Sequence, residues 1–296
     1  MADNSIEENL PLAQTAIALQ SVLSVMAKDY SAGFRFDTTA LRLLSKKANV
    51  EIDDILQSTL KHKMFCRSDN VYFLLDFVAS EEIRNNINAF AINLLNEYGC
   101  FEVSELYKLF ADSLNPKCIC DVDDFEIFYM RICNSDIRCV AAPQIGNRIV
   151  RYSSGNVWGT FSVIAQKIIA TINNEFGGVV SEDELHEKYR AFSVDLLAKI
   201  IKYCAGDELF RVEINEMVCY QMLDTLGLPE DFSDTLSDTL YRLAAIGLPL
   251  NEEILHTALS LTLGVNFKVE YNIPDQATFR RVISIYYKAN PPREWK

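Results

Sequence analysis

Positive charge is scarce in this chain: 28 Lys and Arg stand against 41 Asp and Glu over 296 residues, a formal net charge of −13. A sequence-independent grip on nucleic acid comes from neutralising phosphates with bases, so any such contact here must be local. Histidine is nearly missing, with three in all, and no Gly-rich phosphate loop, Walker lysine, nucleophile elbow or His-Glu-x-x-His zinc pattern occurs. No convergent set of acid, base and nucleophile can be assembled, and a non-enzymatic role is expected. Long apolar runs are also lacking. The best stretches, Val71 to Leu75 and Ala89 to Leu95, are broken by Asp76, Asn93 and Asn96, so no membrane span is expected. The first eight residues hold three acids and no base, the opposite of a secretory n-region, and cytoplasm is the expected compartment.

What is present can build a large core. At 49% apolar and 23% charged, the chain needs no staple to fold and is neither disordered nor low-complexity. Eight cysteines lie at 66, 100, 118, 120, 133, 139, 204 and 219 among apolar residues. Without an export signal they are expected to be reduced, mostly buried and free of metal.

The sequence repeats itself. Four times a helical stretch ends in an apolar or aromatic residue, then Gly, a short apolar piece and a helix-capping residue. The instances are Tyr30-Ser-Ala-Gly33-Phe-Arg-Phe-Asp37, Tyr98-Gly99-Cys-Phe-Glu-Val-Ser104, Phe176-Gly177-Gly-Val-Val-Ser181 and Ile246-Gly247-Leu-Pro-Leu-Asn251. Gly closes one helix in a left-handed conformation, and Asp, Ser or Asn opens the next by accepting a bond from its free N–H groups. Ser181 and Glu184 have the spacing of a capping box. Each preceding helix shows helical periodicity: Leu12, Ala16, Leu19, Leu23, Met26; then Ile83, Ile87, Phe90, Leu94; then Phe161, Ala165, Ile168, Ile172, Phe176. Second and third helices are expected at 38–48 and 53–62 in the first repeat, and at 182–190 and 194–204 in the third. The period then changes to two, which marks hairpins: 64–67 with 71–77, 137–141 with 148–152, and 209–214 with 218–220.

Helix, short strand, helix, helix, hairpin is the order of a winged helix-turn-helix domain, and the chain resembles that superfamily in three tandem copies over about residues 11–222. The expected fold is mainly α with small β-hairpins (α+β), divided as 1–80, 81–160, 161–222 and a C-terminal helical unit at 223–296. The fourth unit departs from the pattern. Its cap Asn251 and helix 252–261 fit, but a strand-like 266–271 precedes a helix at 276–288. In that last helix Phe279, Val282, Ile283, Tyr286 and Tyr287 alternate with Arg280, Arg281 and Lys288. This stripe is expected to be buried, with the stripe Leu236, Leu240 and Leu243 as the nearest partner and Trp295 beyond it on the surface.

Three patterns touch on metals. Glu253-Ile-Leu-His256 and Asp183-Glu-Leu-His186 have a spacing that di-iron bundles use, yet acids near a helix start with His farther along explain both. Cys118-Ile-Cys120, with Cys133 and Cys139 downstream, leaves one residue between the paired thiols, too few for the usual zinc knuckle. The run from Asp121 to Glu126 lacks the Gly turn and twelve-residue spacing of a calcium loop and is expected to form an acidic first helical turn. Phe125, Phe128 and Tyr129 fall at core spacing. No cofactor is expected.

That leaves surfaces. The resemblance implies a third helix in the major groove and a wing on the backbone, so bases on those elements are the candidates for duplex DNA contact. Residues 42–67 hold Arg42, Lys46, Lys47, Lys61, Lys63 and Arg67 against Glu51, Asp53 and Asp54, a local balance of +3. Gln57, Ser58, Lys61 and His62 fall near one face of the third helix. The second repeat offers wing residues Arg148 and Arg151, and the third offers Lys199, Lys202 and Arg211. The leading expectation is a DNA-binding or transcription-associated protein. The rival is an acidic protein-interaction scaffold of tandem winged helices, like those in endosomal-sorting and condensin complexes.

Overall fold

A computed structural model describes residues 9–286 apart from 207, 215, 249, 250, 272, 274 and 275, with the side chains of 9–14, 252, 276 and 277 also outside the description. Expectations for Leu12, Tyr287, Lys288 and Trp295 therefore lie outside the described residues. The fold is mainly helical with small antiparallel sheets, as the sequence implies. The chain divides into two compact units between Gly155 and Asn156, ahead of the expected boundary at 160, because the next long helix already starts at Val157 with Asn156 as its cap.

In the first unit, α1 (Asn9–Asp29), α2 (Thr38–Ala48) and α3 (Asp54–His62) precede β1 (Met64–Cys66) and β2 (Tyr72–Leu74). Asp37 and Asp53 cap α2 and α3: Asp37 accepts from the N–H groups of Thr39 and Ala40, and Asp53 from that of Leu56. Val22, Met26, Leu44, Leu56 and Leu60 form the core, while Ala16, expected on the inner face of α1, is exposed. Phe34 bridges Tyr72 with N–H···O bonds of 2.8 Å in both directions, so β2 lies between this short segment and β1. The strand expected to reach Phe77 stops at Leu74. The Leu75 N–H turns to the Lys63 carbonyl and one helical turn, α4 (Leu75–Val78), follows.

The same order continues with α5 (Glu81–Tyr98), β3 (Cys100–Glu102), α6 (Val103–Phe110), α7 (Val122–Ile132), β4 (Ile137–Ala141) and β5 (Arg148–Tyr152), in a sheet ordered β3-β5-β4. Two expectations are corrected here. The buried face of α5 is Ile87, Ala91 and Leu95, whereas Phe90 is 39% exposed and packs edge-on to Phe110 at 5.9 Å. Ser104 is not a cap, because β3 runs straight into α6 and residue 102 holds the cap position without a side-chain cap bond.

The second unit opens with α8 (Val157–Phe176), β6 (Val179–Ser181), α9 (Glu182–Lys188), α10 (Val194–Cys204), β7 (Leu209–Ile214) and β8 (Met217–Met222). Its sheet is ordered β6-β8-β7. Ser181 and Glu184 form the capping box. The rest is helical: α11 (Phe232–Ala245), α12 (Glu252–Leu263), α13 (Phe267–Glu270) and α14 (Gln276–Tyr286). The strand-like 266–271 is thus a helical turn, opened by the Asn266 side chain, which accepts from the Lys268 N–H. Phe279, Val282 and Ile283 are fully buried in one cluster with Leu236, Leu240 and Leu243, as the stripe requires. Burying such side chains is worth about 1.5–3 kcal/mol each. The same cluster takes in Phe210 and Val212 of β7, so the outer face of the third hairpin is covered by the C-terminal helices.

Candidate functional site

The exposed basic face of the first repeat is built on α2 and α3. Two amphipathic helices bury Leu44, Leu56 and Leu60 inward, which turns Arg42, Lys46, Lys47, Lys61 and Lys63 to solvent. Arg42 and Lys46 line a cavity of about 390 Å³ with Thr38, Leu41, Ser45, Glu51 and Ile52. Lys61 Nζ lies 5.0 Å from the Phe36 ring centroid. On α3, Gln57 is half-buried, and Ser58 and His62 are exposed, with the Ser58 carbonyl 2.7 Å from His62 Nδ1. Ile55 beside them is 68% exposed, an apolar group on a face expected to be polar.

Apart from Lys202, the remaining candidate bases are engaged by the protein itself. Lys47 donates to Asp29 at 2.7 Å. Arg67 donates to Asp69 at 2.6 Å and to the Lys117 carbonyl at 3.0 Å, with its guanidinium 5.2 Å from the Phe73 ring centroid. This pairing holds the Asp69 carboxyl down at about 2. Arg148 Nε donates to Glu126 at 2.8 Å, and the second fork of that pair is also made, which lowers the Glu126 pKa. Arg151 donates to the carbonyls of Tyr152, Ser153 and Gly155. In the second unit Lys199 pairs with Asp195 at 2.6 Å, and Arg211 with Glu182 at 3.3 Å. Exposed ion pairs contribute little stability, yet each removes a cation from the set free to meet phosphate. Lys202 is exposed, with Nζ 5.5 Å from the Tyr203 ring centroid.

The first hairpin is not a free wing. Phe65 of β1 is fully buried and meets Phe128 of α7 edge-on at 5.9 Å. Arg131, one helical turn beyond Phe128, donates to the carbonyls of Met64 at 3.3 Å and Lys61 at 3.2 Å. Ser68 in the hairpin turn donates to Asp124 at 3.4 Å. Asp124 lies in the acidic first turn of α7, as the sequence implies, and is buried there; it also accepts from the Cys120 N–H at 3.1 Å. The third helix of the second repeat therefore spends its face on the preceding hairpin. Arg131 and Asp124 carry this joint; the sequence places Asp124 in an acidic helical turn and does not single out Arg131. The signal for Arg131 is its i+3 spacing from Phe128.

His256 packs edge-on to Phe279 and tilted against Phe267, at 4.8 and 5.4 Å between ring centroids. Cys118 is buried and Cys120 exposed, and all eight cysteines are free thiols. Among the described residues, no three His, Cys, Asp or Glu side chains gather into a metal-holding group, and no helix is long and apolar enough to cross a membrane. No protein-family model matches this chain, and no curated protein sequence does.

Proposed function

We propose that the chain is a non-enzymatic, cytoplasmic protein-interaction scaffold built from tandem winged-helix-type repeats. The observation that carries this reading is the clamp of the first hairpin on α7 of the next repeat through Phe65, Phe128, Arg131 and Asp124. A DNA reader needs its wing and third helix free to meet backbone and groove, and here the wing of the first repeat and the third helix of the second are spent on a joint between repeats, while α3 stays exposed. Stacked units that bury their faces on neighbours behave as arrays whose remaining surfaces bind partners. The pairing of Lys47, Arg67, Arg148, Lys199 and Arg211 with carboxylates and the net charge of −13 support the same reading.

DNA binding stands as the second reading, favoured by Arg42, Lys46, Lys61 and Lys63, which have no carboxylate partner among the described residues. Anisotropy titration of a labelled duplex at low salt separates the two. The scaffold reading expects no saturable binding, and the chain isolated from its own cells to run as a stoichiometric assembly with other proteins. Saturable binding that disappears when Lys61, Lys63 and Arg67 are changed together to Glu would reverse the order of the two readings.

A further inference from the structure

In the second unit, α10, the hairpin β7–β8 and α14 surround a cavity of about 330 Å³. Lys199 and Lys202 reach it from α10, Arg211 from β7 and Arg281 from α14, with Tyr220, Ile201 and Ala198 completing the wall. Four bases around one cavity run against the acidic average of the chain. Two of them are answered. Asp195 accepts from Lys199 at 2.6 Å, and Glu182 accepts from Arg211 Nε at 3.3 Å and from the Tyr220 hydroxyl at 3.0 Å. For Lys202 and Arg281 no carboxylate partner occurs among the described residues. Four bases and two acids leave a formal balance of +2.

Arg281 is already in place. It donates to the Gly206 carbonyl at 2.5 Å and lies over the Phe210 ring at 5.2 Å. Those contacts use one side of the planar fork and fix its direction, so little freedom is lost when the remaining N–H groups take a ligand. We propose that this cavity receives a phosphate monoester, carried either by a phosphorylated side chain or by a small phosphorylated molecule. Lys202 and Arg281 are its charge contacts. A monoester near neutral pH carries about −1.5 to −2, matching the uncompensated +2. A duplex phosphodiester carries a single charge per phosphate. The Ile201 and Ala198 walls suit the carbon that bears the ester. This inference does not depend on the scaffold reading.

Calorimetric titrations of the full chain at fixed ionic strength would use four probes: inorganic phosphate, free phosphoserine, a short phosphoserine peptide and its unphosphorylated twin. The phosphorylated probes should saturate and the unphosphorylated peptide should not. Lys202→Gln, an exposed residue with no structural bond, should weaken binding about tenfold, and Arg281→Gln at least as much, while Lys63→Gln in the other unit should leave it unchanged. A peptide binding about tenfold tighter than free phosphoserine assigns the peptide as source, and equal affinities assign a small molecule; either supports the site. Absence of saturation by all phosphorylated probes, binding indifferent to Lys202→Gln, or a duplex that saturates where phosphoserine does not would overturn it.

Discussion

If the first hairpin is a joint and not a wing, Phe65→Ala should cost far more than a hairpin substitution ordinarily does. The ring is fully buried, and its register partner across the hairpin is Phe73. Beyond the hairpin it meets Phe128 at 5.9 Å with the ring planes at 88°, the edge-to-face geometry that adds about 0.5–1.5 kcal/mol to area burial. Truncating a buried Phe costs about 3–5 kcal/mol, a large share of the ~5–15 kcal/mol that holds a domain together. A two-stranded hairpin with one open face would lose much less.

Urea denaturation followed by far-UV circular dichroism measures the loss for Phe65→Ala, Phe128→Ala and the double variant. Hydrogen exchange by mass spectrometry then locates it. The double variant should lose less than the sum of the singles by about 0.5–1.5 kcal/mol, the coupling of two rings in contact. Both singles should lower exchange protection in β1 and in α7 together. A loss below about 1 kcal/mol for Phe65→Ala would refute the joint, as would strict additivity or unprotection confined to β1.

Alkaline pH should destabilise the fold through its cysteines. Burial pushes the thiols of Cys100 and Cys139 up to about 12, and those of Cys118 and Cys133 to about 11, from an ordinary value of 9.0. The folded chain thus keeps protons that the unfolded chain releases, so stability is whole below pH 9.0 and falls as pH rises toward 12. Urea midpoints across that range check it, and a flat profile from 9 to 11 would contradict it. Gly178→Ala should destabilise by more than about 2 kcal/mol and Gly177→Ala by about 1, because both have positive φ, but only at Gly178 would a Cβ run into Thr225 Cγ2. Equal melting temperatures for the two variants would show that the contact is relieved at no cost.

Much of the fold was legible because glycines and caps punctuate it. Asp37, Ser181 and Asn251 open helices where the sequence places them, since a short polar side chain before an apolar periodic run has one favourable use. Ser104 is not a cap because the helix already starts at Val103, which puts the cap position at residue 102 and Ser104 inside the first turn. The face of α5 was misread by one position, since a large Phe outranks a small Ala in a pattern of apolar residues, yet Ala91 lies in the core and Phe90 at the rim. The bases of the candidate site could be read, but their fates could not. Lys199 with Asp195 is an i,i+4 pair visible on a helix, whereas Arg148 and Arg211 meet acids 22 and 29 residues away, which only the folded sheet brings near.

The difference between a hairpin that serves as a joint and one that stays open is written in its outer strand. A strand with one wet face alternates, because successive side chains point to opposite sides. β1 carries the consecutive apolar pair Met64-Phe65 and β7 the pair Leu209-Phe210, and all four side chains are buried. Each strand therefore needs cover on both faces: its own helices supply one side, and the next stretch of chain supplies the other, α7 for β1 and the C-terminal helices for β7. β4, the corresponding outer strand of the second repeat, reads Ile137-Arg138 instead, buried then exposed. A partner that adds to the first unit is accordingly expected on the open side of β4. The first and third hairpins are closed to it by the same apolar pairs that fasten the repeats together.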